Sequence, residues 1–115
     1  MRILVCGGRD FTDWKAAFRA LDAAHAKRPI TCIIHGDARG ADRAGKAWAV
    51  MNEVDHAPFP AAWDKLGNRA GPIRNQQMLD EGQPDGVIAF PGGAGTADMV
   101  RRSLSAGLKV WRPLG

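Results

Sequence analysis

Gly86-Val87-Ile88-Ala89-Phe90-Pro91-Gly92-Gly93-Ala94-Gly95-Thr96 is the stretch on which the reading of the fold turns. Its first five residues form a short apolar run bounded by Gly and Pro, the pattern of a strand buried on both faces. Ala97 to Leu104 follows with helical composition and is closed by Gly107. The glycines therefore fall on a strand-to-helix turn, where they allow positive φ and let backbone N–H groups approach a ligand with no Cβ between. The helix aims its unpaired N–H groups and its positive dipole end at the same place, a combination that favours phosphate. Thr96 is placed to cap that helix or to bond a phosphate oxygen. The competing reading is a tight turn that needs glycine for packing alone.

Working outward, the same strand–turn–helix unit recurs. Arg2 to Cys6 reads as the first strand, with Gly7-Gly8-Arg9-Asp10 as its turn. Thr12 or Asp13 can cap a helix whose Trp14, Ala17, Phe18, Leu21 and Ala24 keep a helical apolar spacing. Thr31 to His35 is the next buried strand, and Gly36-Asp37-Ala38-Arg39-Gly40-Ala41-Asp42 the next turn. The helix after it puts Ala41, Ala44, Ala47, Trp48 and Met51 on one face, small enough for close packing on a sheet. Glu53 to Ala57 is a weaker strand stopped by Pro58 and Pro60. Ala61 to Asn68 reads as an irregular surface loop, and Pro72 as the first turn of a helix over Ile73–Glu81, with Gly82 past its end. Leu108 to Trp111 is the last strand.

Alternating strands and helices predict a mainly parallel α/β sheet of about five strands with helices on both faces, a three-layer αβα sandwich. Ligands of such sheets sit outside the carboxyl ends of the strands. All three glycine turns lie there, so one crevice can receive Gly7-Gly8-Arg9, Gly36 and Gly92-Gly93-Ala94-Gly95 together.

The chain's 115 residues predict one domain over 1–115. No run is long and apolar enough for a membrane span and nothing marks the chain for export, so cytoplasmic residence is the expectation. A formal charge of +4 fits an anionic partner. Its 16 Lys and Arg are scattered and the aromatic series of a strand reader is missing, which argues against nucleic acid. Cys6 and Cys32 read as small buried hydrophobes, and His25, His35 and His56 are too dispersed for a metal, so no cofactor is expected. The full GxGxxG fingerprint and the Walker lysine are both absent, which disfavours an ordinary NAD-binding domain and excludes P-loop hydrolysis.

Four residues outside the turns stand out. Arg74 and Asn75 fall in the first turn of their helix, where an arginine can take a phosphate through two parallel hydrogen bonds or simply be solvated. Asp98 and Asp42 each fall in a helix first turn, where an acidic residue offsets the dipole or faces ribose hydroxyls or water. Trp63 can stack on a base or lid its own core.

These residues resemble a family. Pro91-Gly92-Gly93-Ala94-Gly95-Thr96 is similar to the PGGxGT signature of the Lonely Guy phosphoribohydrolases and the wider SLOG superfamily. Val5-Cys6-Gly7-Gly8 resembles their first loop, and Arg74-Asn75-Gln76-Gln77-Met78 their R-x-x-x-M helix start. Over its whole length the chain resembles the YspA-related SLOG proteins, through Gly7 to Phe11, His35 to Asp42 and Ala70 to Asn75. The resemblance implies a Rossmann-like fold, a homodimer and a nucleotide or nucleotide-derived ligand. In the hydrolase branch an arginine and a glutamate cleave the N-glycosidic bond of a nucleoside 5′-monophosphate. Arg74 matches the arginine, but PGGxGTxxE places the glutamate at Met99, leaving Asp98 beside it as the acidic group. The resemblance therefore leaves two functions open, hydrolysis through Arg74 and Asp98 or a non-catalytic nucleotide-binding module. Single-stranded nucleic-acid binding ranks behind both.

Overall fold

In a computed structural model, which describes residues 1–115, five strands form one parallel sheet in the order β3-β2-β1-β4-β5. The strands are β1 (Arg2–Cys6), β2 (Cys32–His35), β3 (Asp55–Pro58), β4 (Gly86–Ala89) and β5 (Val110–Trp111). The helices are α1 (Trp14–Lys27), α2 (Ala41–Met51), α3 (Trp63–Leu66), α4 (Ala70–Gly82) and α5 (Ala94–Ser105), with a 3₁₀ turn at Gly67–Arg69. This is the expected α/β sandwich, with the strand order of a Rossmann-like sheet.

The central strand β1 pairs with β2 on one side (Ile3 opposite Ile33) and with β4 on the other (Val5 opposite Ile88). Side chains alternate along it, so Ile3 and Val5 face one layer while Leu4 and Cys6 face the other. The first layer is α1 and α2, burying Ala17, Leu21, Ala44 and Trp48. The second is α4 and α5, burying Met78, Leu79, Met99 and Val100. Both faces being covered is why the inner strands read as unbroken apolar runs.

The small residues of α2 bring it close to the sheet. A Cβ added to Gly45 would lie 3.2 Å from the Val5 side chain. Trp48 is fully buried and donates from Nε1 to Asp22 Oδ1 at 2.8 Å, tying α2 to α1.

Several elements depart from the sequence reading. Met51, the last residue of α2, is 72% exposed, and Trp14, the first of α1, is 39% exposed. The rest of the expected α1 face holds, with Ala17 and Leu21 buried, Phe18 and Ala24 packed against the core, and Ala16 and Ala20 buried beside them. The stretch 61–68 is not irregular, since α3 and the 3₁₀ turn occupy most of it. The helix expected over Ile73–Glu81 begins at Ala70, and Pro72 fits its first turn because the missing N–H would have had no partner there. Arg74 and Asn75 consequently stand in the second turn. The last helix begins at Ala94 with Gly93 as its N-cap, so Thr96 is no cap and Asp98 is one turn in.

Candidate functional site

The chain crosses from one side of β1 to the other between β3 and β4, so the strand order reverses at β1 and β4. A crevice of about 770 Å³ opens at their carboxyl ends. Backbone contacts stitch the three glycine turns into its rim. Gly8 N donates to Pro91 O at 2.9 Å, and Ala41 N donates to Gly8 O at 3.2 Å. The Phe11 ring stacks on Phe90 at 5.1 Å and holds the first turn down on the sheet.

The glycines of the third turn do different jobs. None of Gly92, Gly93 and Gly95 has positive φ, contrary to the expected reason for glycine there. A Cβ on Gly92 would strike Thr96 and the Gly8 amide, so this one is set by packing, and it does not line the crevice. A Cβ on Gly93 or Gly95 would meet nothing within 4 Å, yet both residues line the crevice. Their bareness keeps the crevice wall open. Beside them the amides of Ala94, Gly95 and Thr96 have no hydrogen-bond partner and form the positive end of α5.

Arg74 reaches across from α4. Its Nη1 donates to Gly36 O at 2.7 Å and its Nε to Asn75 Oδ1 at 3.1 Å, while Nη2 makes no hydrogen bond. Burial lowers the arginine's pKa, Asp42 opposes that and Arg9 adds to it. Gly36 lies beneath this guanidinium rather than on the crevice wall. A Cβ there would sit 2.7 Å from Arg74 Cζ and 2.9 Å from Asp42 Oδ2. Asp42, 7% exposed, lines the crevice at the start of α2 and accepts from Ala38 N at 3.4 Å. Burial pushes its carboxyl up to about 6, against the charge of Arg74 and the amides of Ala38 and Gly36.

Asp98 and Met99 also line the crevice, in different states. Met99 is 1% exposed and belongs to the apolar layer between α5 and the sheet. Asp98 accepts from Asn75 Nδ2 at 3.0 Å, Arg101 Nη2 at 2.5 Å and Arg102 Nε at 2.8 Å. Desolvation would raise its pKa, but the bonds from Asn75 and Arg102 and the two arginine charges outweigh that and hold it low. Asn75, which lines the crevice and is only 4% exposed, also donates to Gly95 O at 3.2 Å. It thereby fixes the first turn of α5 from below.

Gly7, Gly8, Arg9 and Thr96 line the crevice as well, and Trp63 stands at its mouth, 44% exposed, with Arg9 Cζ 5.1 Å from its ring centre. The sequence reading did not place Asn68, Gly71, Met78 or Arg101 in the site, yet all four line the wall. Arg101 was detectable as the i+3 partner of Asp98. The others depend on the early start of α4. No three or more His, Cys, Asp or Glu residues gather as metal ligands, and no helix is long and apolar enough to cross a membrane.

A family model described as "YspA, cpYpsA-related SLOG family" matches residues 1–66, which include the first two glycine turns and end before Arg74. The chain is 34% identical over 117 residues to the Gene 61 protein of Mycobacterium phage D29, a match covering 95% of this chain and 93% of that one. Among solved structures it is similar to glycinamide ribonucleotide transformylase 1 from Symbiobacterium toebii, at 14% identity and a TM-score of 0.48. That match covers 94% of this chain, which spans 61% of the transformylase chain.

Proposed function

The chain belongs to the YspA, cpYpsA-related SLOG family, and from that premise we propose that its crevice binds a nucleotide or nucleotide-derived ligand. The phosphate sits on the free amides of Ala94, Gly95 and Thr96, with Arg74 Nη2 as a second donor. The observation that carries this reading is the bareness of Gly93 and Gly95. Neither packing nor backbone conformation calls for glycine at these two positions, whereas a close approach of phosphate to backbone amides does.

The test follows from the same fact. Valine is at least as good a helix former as glycine, and a Cβ at position 95 meets no atom within 4 Å, so Gly95→Val is expected to fold with a melting temperature close to wild type. Its side chain fills the phosphate position. In calorimetric titration with a panel of ribonucleoside 5′-monophosphates, the variant binds at least tenfold more weakly. A folded variant with unchanged affinity would falsify the reading.

Asp42 favours a second reading, cleavage of the ligand's N-glycosidic bond. It is a buried carboxyl on the crevice wall lifted to about 6, the range in which one group can both give and take a proton near neutrality. Asp98, held as a carboxylate by three donors, is poorly suited to that work.

A further inference from the structure

Beyond the Arg9–Trp63 contact lies a second cavity of about 400 Å³, lined by Arg9, Arg39, Arg43 and Arg74, with Asp37 as its one acidic wall residue. Arg9, Trp63 and Arg74 line both this cavity and the crevice, so the two are lobes of one depression. Solvated arginines are ordinary, but these four converge. Arg9 and Arg43 have no carboxylate within 4 Å, and Arg39 has only the exposed Asp10, at 3.3 Å. Such an exposed pair is weak and screened. The amides of Asp42 and Arg43 at the start of α2 also lack a hydrogen-bond partner, which adds the positive end of that helix.

We propose that this lobe receives a second phosphate group of the ligand, beyond the one on α5. The ligand is then a nucleotide extended by further phosphate, either as a polyphosphate chain or as the pyrophosphate-bridged half of a dinucleotide. Arg9 is the divider, its guanidinium resting on the Trp63 ring and facing both lobes. Arg39 and Arg43 present planar donors suited to phosphate oxygens. This inference rests on the nucleotide reading of the crevice and names the ligand more closely.

The experiment compares three probes for each base: the ribonucleoside 5′-monophosphate, its 5′-triphosphate and the corresponding dinucleoside 5′,5′-pyrophosphate. Affinities are measured by calorimetry at physiological ionic strength for wild type, Arg43→Ala, Arg43→Glu and the remote control Arg19→Glu. For wild type, the triphosphate or the dinucleotide binds at least tenfold tighter than the monophosphate, and whichever does identifies the source of the second phosphate. Both Arg43 variants lose most of that gain and keep monophosphate affinity within about twofold, while Arg19→Glu keeps both. If the monophosphate binds and the extended probes bind no tighter, or if their advantage survives in both Arg43 variants, the second lobe is not a phosphate site, although the nucleotide reading stands. If no probe binds at all, the nucleotide reading falls and this inference falls with it.

Discussion

Asp98 shows how much a residue's role depends on what already holds it. Three donors converge on its carboxylate, and Arg102 continues from there to Gln76 Oε1 at 3.0 Å, so the cluster joins α5 to α4. Asparagine at this position keeps the shape but turns an amide N–H toward donors and leaves two arginines without their charge partner. Asp98→Asn is therefore expected to cost about 1–3 kcal/mol of stability, the scale of losing a charged hydrogen-bond partner in a partly buried site. Urea unfolding measures it. If the crevice releases free base from a monophosphate, that turnover persists in folded Asp98→Asn and disappears in Asp42→Asn. The opposite pattern would return the catalytic role to Asp98. The sequence placed an acidic group beside Met99 with arginines at i+3 and i+4, but it carried no sign that Asn75, from a different helix, would bond the same carboxylate.

At the scale of elements, the three glycine turns were legible because each interrupts an apolar run just before a helical pattern. The job of each glycine was not, since that depends on which turn lies against which. Gly40 is the clearest case. It precedes α2 with φ +83°, and a Cβ there would meet the Gly8 and Arg9 backbone, within 2.7 Å of Arg9 O. Both the conformation and the contact exclude a side chain. Gly40→Ala is expected to destabilise the fold by about 2 kcal/mol or more, combining left-handed strain with displacement of the first turn. It should also weaken ligand binding, because Gly8 O and Ala41 N no longer meet at the rim. Thermal unfolding with parallel titration checks both effects, and an alanine variant as stable as wild type would show that the rim is loosely held. The short α3 escaped the sequence reading for a different reason. Four residues cannot display a 3.6-residue period, and Trp63 there packs against Gly71, within 3.2 Å of where its Cβ would stand, a contact with no local signature.

For the molecule as a whole, two buried groups on opposite sides of the β2–α2 turn oppose each other in pH. Burial, with the nearby His56 charge second, lowers the His35 pKa from 6.5 to about 4. Asp37 N donates to its Nδ1 at 3.1 Å, so the ring proton is on Nε2, which faces His56 Nδ1 at 3.0 Å. Between about 4 and 6.5 the unfolded chain therefore binds a proton at His35 that the folded chain refuses, and stability rises with pH across that window. Asp42 behaves inversely. Its pKa moves from 3.8 to about 6, so the folded chain keeps a proton that the unfolded chain has released, and stability falls as pH rises through that range. The two slopes offset each other between about 4 and 6, and wild type is expected to be nearly flat there in these two contributions. Asp98, held low, contributes stability above its ordinary 3.8 that is lost as the pH falls further. Asp42→Asn removes one slope and leaves the other. Its unfolding free energy, measured in urea at intervals from pH 4 to 6.5, should climb with pH more steeply than that of wild type. A variant curve parallel to the wild-type curve would mean that Asp42 titrates at its ordinary value in the folded protein, and the acid–base role considered for it in the crevice would lose its physical basis.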